Sequence, residues 1–220
     1  MKTPAKPKGG GTAPLLYQLK ITLEYVEPAI WRRLQVPADA NLGWLHAVIQ
    51  VAMGWTNSHL HKFEAAGRMY ADAGAELGSP EDDPPVADEN EARLRDVVPR
   101  EQDVLLYEYD FGDSWLHQVV VEKILPAPPG AALAAQCLEG ARACPPEDCG
   151  APPGYDNLLR ILRNPKHKEH KSMKEWLGRP FDPEAFDPAK IGRHLAKLKW
   201  PSVAESQLRR VLMTRDGVRG

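Results

Sequence analysis

Two aspartates and a histidine crowd one tight turn in the run from Tyr107 to His117, and these side chains are the most capable of chemistry in the chain. Carboxylate oxygens of Asp110 and Asp113, with the His117 imidazole, are the donor types that hold a divalent metal ion (zinc, manganese or magnesium) or that work as an acid/base pair. Short acids in a turn also cap backbone N–H groups, and that is the alternative for Asp110 and Asp113. The triplet Asp110-Phe111-Gly112 occurs in protein kinases, but no glycine-rich loop, strand lysine or catalytic-loop motif accompanies it, so a kinase is not supported.

Further donors lie elsewhere in the chain. His59 and His61, two apart on an expected strand, project to one side, where both could reach a single metal ion; Phe63 points the same way, which also fits a partly buried, hydrogen-bonded pair. Cys137, Cys144 and Cys149 fall within thirteen residues, a spacing open to a zinc loop with His167 as a fourth ligand, to a redox pair, or to inert thiols in a proline-stiffened loop. The adjacent carboxylates Glu147 and Asp148 either reach a site built elsewhere or cap the helix expected near Tyr155. Most of the tryptophans read as packing; Trp55, Tyr109, Trp115 and Tyr155 are expected to line a polar and aromatic cleft.

These groups need a scaffold, and the hydrophobic pattern supplies one. Leu15 to Val26 and Ile30 to Val36 read as strands. Asn41 is placed to cap a helix whose apolar positions Leu42, Leu45, Ile49 and Met53 recur at helical spacing before Gly54. A hairpin turns at Gly67 between residues 59–65 and 68–71, and 72–85 reads as a surface loop. The strongest strand pair runs from Val104 to Phe111 and from Trp115 to Leu125; period two puts Leu105, Tyr107, Tyr109 and Phe111 on one face. Pro126 to Pro153 is too rich in proline for long regular elements. Helices follow at 155–163 and 167–177, after Asp182-Pro183 and Asp187-Pro188, and from Pro201. Strands early and helices late, without a βαβ repeat, predict an α+β fold: an antiparallel or mixed sheet, an early helix packed on it, and a helical C-terminal third. The expected organisation is a flexible tail at 1–14, a single domain over 15–200, and a C-terminal helix and tail over 201–220.

At 220 residues the chain is long enough for a sizeable core, and no window approaches the roughly 20 apolar residues needed to span a bilayer, so no membrane partner is expected. The first residues lack the apolar stretch of a secretory signal, so a cytoplasmic location is expected. Net charge is −2, unevenly placed: residues 64–113 carry 15 acidic and 4 basic side chains, residues 155–220 carry 15 basic and 8 acidic. The cluster Arg160, Arg163, Lys166, Lys168, Lys171 and Lys174 could meet nucleic acid, but a solvated helical face is the preferred reading.

Four motifs occur together: Ile30-Trp31-Arg32-Arg33; Gly54-Trp55 with His59-Leu60-His61; the run from Tyr109 to Asp113 with Trp115 and His117; and the Cys-Pro-Pro-Glu-Asp-Cys segment between Ala143 and Gly150. In this combination and order the chain resembles the plasmid pRiA4b ORF-3-like family over about Leu15 to Leu198. The resemblance implies a compact α+β domain of the kind found on plasmids and in bacterial and archaeal genomes, often labelled an insertion-element passenger or TnpR-type protein, and carries no established reaction. Gly150-Ala151 stands where paired glycines are expected. Three functions follow as expectations: first a ligand- or partner-binding module with a polar and aromatic cleft; second a metal-dependent hydrolase, with phosphodiesters as one substrate class, using the histidines and acids above; third a DNA-associated accessory factor working through the basic helices.

Overall fold

The computed structural model describes residues 13–75, 77, 84–130, 133–199, 208, 211 and 212. Its strands are β1 (Leu15–Leu23), β2 (Ile30–Pro37), β3 (His61–Ala65), β4 (Arg68–Ala71), β5 (Ala87–Asp88), β6 (Val104–Tyr109), β7 (Trp115–Pro126) and β8 (Gln136–Ala141). They form one sheet in the order β5-β4-β3-β6-β7-β1-β2-β8. All neighbours are antiparallel except β4 and β5, so the sheet is mixed. The helices are α1 (Leu42–Met53), the short α2 (Leu94–Val97), α3 (Ala151–Arg163), α4 (His170–Leu177) and α5 (Pro188–Leu195), which makes the fold α+β.

Alternation explains the centre of the sheet. Leu19, Ile21 and Leu23 of β1 are buried, and Leu19 faces Leu34 of β2 on one side and Val121 of β7 on the other. The β6–β7 hairpin sets Tyr107 opposite His117 and Tyr109 opposite Trp115, all buried. Phe111 breaks the expected stripe and is 38% exposed, because Asp110 adopts a left-handed φ of 61° and ends the alternation there.

Helix α1 begins as its sequence predicts, with Asn41 Oδ1 accepting from Trp44 N at 2.8 Å, and ends on Gly54 at φ 114°, a conformation that glycine adopts without a Cβ penalty. All its residues except Gly43 are buried, including the polar His46 and Gln50. The proline-rich stretch contains β8, a strand the sequence pattern does not show; it pairs with β2 through Trp31 opposite Ala141 and Gln35 opposite Gln136. Asp182-Pro183 opens a turn, with Asp182 Oδ1 accepting from Glu184 N, whereas Asp187 does cap α5 by accepting from Lys190 N at 2.8 Å. Leu208, Val211 and Leu212 are helical and join the main core. Residues 1–12 of the tail expected over 1–14 and the remainder of 200–220, with Trp200, lie outside the described residues. Among the described residues no helix is long and apolar enough to cross a membrane.

Neighbouring arginines on β2 have opposite fates. Arg33 faces outward and pairs with Glu122 and Glu139. Arg32 is 2% exposed and its guanidinium donates to four carbonyls: Nε to Ala52 O at 2.9 Å, Nη1 to Trp31 O and Ala141 O at 2.8 Å, and Nη2 to Arg142 O at 2.8 Å. The Phe186 ring lies 4.9 Å from its central carbon. A planar fork of five donors suits this socket; an ammonium does not. Arg32→Lys is therefore expected to destabilise the fold by about 2–4 kcal/mol in urea unfolding, while Arg33→Lys stays within about 1 kcal/mol.

Candidate functional site

Three segments far apart in sequence meet beyond the ends of β3 and β6: the stretch after α1 (55–60), the β6–β7 turn (110–114), and the loop before α3 (143–150). Glu147 is the knot. Its Oε1 accepts from Thr56 N at 3.1 Å and from the Tyr109 hydroxyl at 2.5 Å, and its Oε2 accepts from the Thr56 hydroxyl. Trp55 Nε1 donates to Pro145 O at 3.2 Å, Ser58 N to the Tyr109 hydroxyl at 3.0 Å, and Gly150 N to Asp113 Oδ2 at 3.1 Å. Asp113 and Glu147 thus fasten the loops to one another.

Where these segments close, His59 stands between two carboxylates. Its Nδ1 is 3.6 Å from Asp110 Oδ1 and its Nε2 is 3.2 Å from Asp148 Oδ1. Neither contact has hydrogen-bond geometry, and Nε2 is screened from solvent without a hydrogen-bond partner among the described residues. Asp110 fulfils both roles its sequence position allows. Its Oδ1 accepts from Gly112 N at 3.0 Å and more weakly from Asp113 N at 3.4 Å, which closes the turn, and the same buried carboxylate faces His59. Asn57, Asp110 and Asp148 all hold left-handed φ near 60°, a region that Asn and Asp tolerate better than other side-chain-bearing residues.

Several expected donors go elsewhere. β3 begins only at His61, so His59 precedes the strand and the two imidazoles part company. His61 turns to Glu89, at 2.9 Å, and stacks on His46 with ring centroids 3.4 Å apart. His117 is core: its ring meets Trp55 edge-on at 5.1 Å, its Nδ1 lies 3.3 Å from Tyr107 O, and burial pushes it down to about 4, so it joins neither Asp110 nor Asp113. None of the three cysteines is in a disulfide, burial pushes Cys137 up to about 11 and Cys149 to about 12, and among the described residues no cluster of three or more candidate ligands contains a thiol. The cysteines therefore do not gather with the expected His167 into a ligand cluster among the described residues, and their raised pKa values work against the thiolate that a redox pair uses. Trp55, Tyr109, Trp115 and Tyr155 are buried to 1% exposure or less; Trp55 lines a cavity of about 830 Å³ with Cys144, Pro145 and Glu147 of the Cys-Pro loop, while Tyr109 donates to Glu147 beneath it. Arg160 and Arg163 of α3, Lys166 and Lys168 of the turn after it, and Lys171 and Lys174 of α4 are exposed, with Lys168 and Lys171 each 3.8 Å from a glutamate.

The sequence reading missed His46 and Glu89, which sit on a cavity of about 630 Å³ lined also by Asn57, His59, His61 and Asp72. His46 belongs to a closed ring of hydrogen bonds. Gln50 Nε2 donates to the Tyr107 hydroxyl at 3.0 Å, that hydroxyl donates to His46 Nδ1 at 2.8 Å, His46 Nε2 donates to Asn57 Oδ1 at 2.7 Å, and Asn57 N donates to Gln50 Oε1 at 2.9 Å. The ring fixes the His46 tautomer, and burial with the neighbouring His61 holds His46 down to about 3. Burial likewise drives Glu89, 3% exposed, up to about 7. The one signal available in the sequence was a histidine and a glutamine, His46 and Gln50, four apart on an otherwise apolar helix.

Comparison with known proteins agrees with this architecture. The family model described as plasmid pRiA4b ORF-3-like protein matches residues 15–190. The chain is 36% identical over 186 residues to the uncharacterized protein y4hQ of Sinorhizobium fredii, an alignment that covers 83% of this chain and 93% of that protein. It is also similar to the crystal structure of the protein of unknown function MM3350 from Methanosarcina mazei Go1, with a TM-score of 0.69 and 38% identity over 80% of this chain and 97% of that one.

Two measurements probe this region. Ala151 holds φ 62° where a glycine would be unstrained, so Ala151→Gly is expected to raise unfolding stability by up to about 1 kcal/mol. Glu89 has a folded pKa above its unfolded value of 4.5, so the stability it contributes is complete below about 4.5 and is lost as pH rises through about 7. His46 and His61 act in the opposite sense, losing their contribution as pH falls from 6.5 through about 4 for His61 and about 3 for His46. Glu89→Gln, neutral at every pH, should therefore gain on the parent protein by on the order of 2 kcal/mol between pH 5 and 8 in pH-resolved urea unfolding.

Proposed function

The chain belongs to the plasmid pRiA4b ORF-3-like protein family, and since the relatives above are described only as uncharacterised or of unknown function, we propose from geometry that it is a binding module for a small molecule bearing a cationic amine or guanidinium group. The observation that carries this reading is the placement of Glu89, nearly inaccessible, on the wall of the 630 Å³ cavity together with Asp72. Among the described lining residues there is no lysine or arginine, so the cavity supplies acceptors and negative charge but no group to neutralise an anion. A phosphate or carboxylate ligand would face the charge of Glu89 and Asp72 with no lysine or arginine to balance it, whereas an ammonium would offset the desolvation of Glu89 and be oriented by the surrounding neutral polar groups. The size suits a metabolite rather than a protein segment, being within the range of small-molecule pockets.

Because a bound cation favours the ionised carboxylate, binding should displace the Glu89 proton at neutral pH. Calorimetry with a panel of small amines, guanidines and carboxylates in buffers of different ionisation enthalpy is expected to find amine or guanidine ligands that release protons at pH 7, and Glu89→Gln should weaken them by about tenfold or more. Selective binding of carboxylates, or amine binding indifferent to Glu89→Gln, would overturn the reading.

A further inference from the structure

We propose that His59, Asp110 and Asp148 form a binding site for a first-row transition-metal dication such as zinc or manganese. The inference does not rest on the ligand reading above, since its ligands are not the Glu89 and Asp72 that carry that reading, although His59 also lines the cavity. One ligand atom from each of the three side chains lies within 4.8 Å of the others, and each comes from a different segment of the chain. Donors on one tetrahedral ion stand about 3.3–3.6 Å apart when each bond is about 2.0–2.2 Å, so a separation at the 4.8 Å limit closes by a movement of about 1 Å, which the exposed Asp148 can supply.

The three donors differ in freedom in a way that suits metal capture. Asp110 is buried and held by the Gly112 and Asp113 amides, the supporting bonds that orient a ligating carboxylate. His59 is partly enclosed, with Nε2 screened from water yet in no hydrogen bond among the described residues. Asp148 is 72% exposed at the tip of its loop and can move onto an ion. Among the described residues the ion-pair partner of both aspartates is His59 rather than a lysine or arginine. Two carboxylates and a neutral imidazole carry charge −2, which one dication balances. A nitrogen and two oxygens suit zinc or manganese better than calcium or magnesium, which favour oxygen alone. Three protein ligands leave a position for water or substrate, and because His59 also lines the 630 Å³ cavity, that position lies at the cavity's margin.

The test uses the full chain, stripped with chelator and titrated with Mn²⁺ followed by electron paramagnetic resonance, and with Zn²⁺ followed by calorimetry. Mn²⁺ discriminates against the cysteine thiols, which favour zinc. The expected result is a single bound Mn²⁺ per chain, weakened about tenfold or more both by Asp148→Asn, an exposed change suited to the left-handed φ there, and by Asp110→Asn, which retains the turn acceptor. Glu89→Gln should leave Mn²⁺ affinity unchanged, so failure here is distinct from failure of the amine reading. No Mn²⁺ bound at millimolar concentration, or binding insensitive to both aspartate substitutions, would overturn the proposal.

Discussion

The arrangement depends on one buried cation, the guanidinium of Arg32. It gathers carbonyls from its own strand, from the edge strand β8, from the residue that follows β8, and from the last turn of α1. Those four acceptors belong to the pieces that must be held together before the candidate site can exist. The Ala52 carbonyl fixes where α1 ends and hence where the 55–60 segment starts; the Ala141 and Arg142 carbonyls fix where the 143–150 loop starts. With both roots pinned, Glu147 can reach Thr56 and Tyr109, and Asp148 can reach His59. A charge at 2% exposure is tolerated because each donor direction used ends on an oxygen.

Helix α1 faces a second constraint. A helix buried on nearly every side would ordinarily be apolar throughout, yet it carries His46 and Gln50 into the core. The closed ring through Tyr107 and Asn57 leaves none of the participating side-chain atoms without a partner, which is the condition under which buried polar groups do not destabilise. Beside it, the stacked His46 and His61 rings remain neutral at physiological pH, since burial holds both well below their usual range.

Legibility from sequence tracked locality. Helix α1, with its Asn41 cap and Gly54 stop, and the β6–β7 hairpin are written in short-range patterns and were readable. β8 was not: Gln136–Ala141 lacks clean alternation, and it becomes a strand because β2 offers a free edge, a partner about a hundred residues away. Phe111 was misplaced because period-two reasoning fails when one residue turns left-handed. The acids Asp110 and Asp148 could be named as candidates from their types, but their meeting with His59 rather than with His117 or His61 follows from loop geometry that no periodicity encodes. His46 and Glu89 were hidden for the same reason, the first inside an apolar helix and the second in an acidic stretch whose pattern points to no element.

Asn57 has a consequence reaching past its own hydrogen bonds. Its backbone amide and side-chain oxygen are both anchored to α1, two residues before His59. The stretch that presents the imidazole therefore surrenders its conformational freedom when the chain folds, not when something arrives. An incoming guest meets a host already rigid, and association is spared that entropic toll.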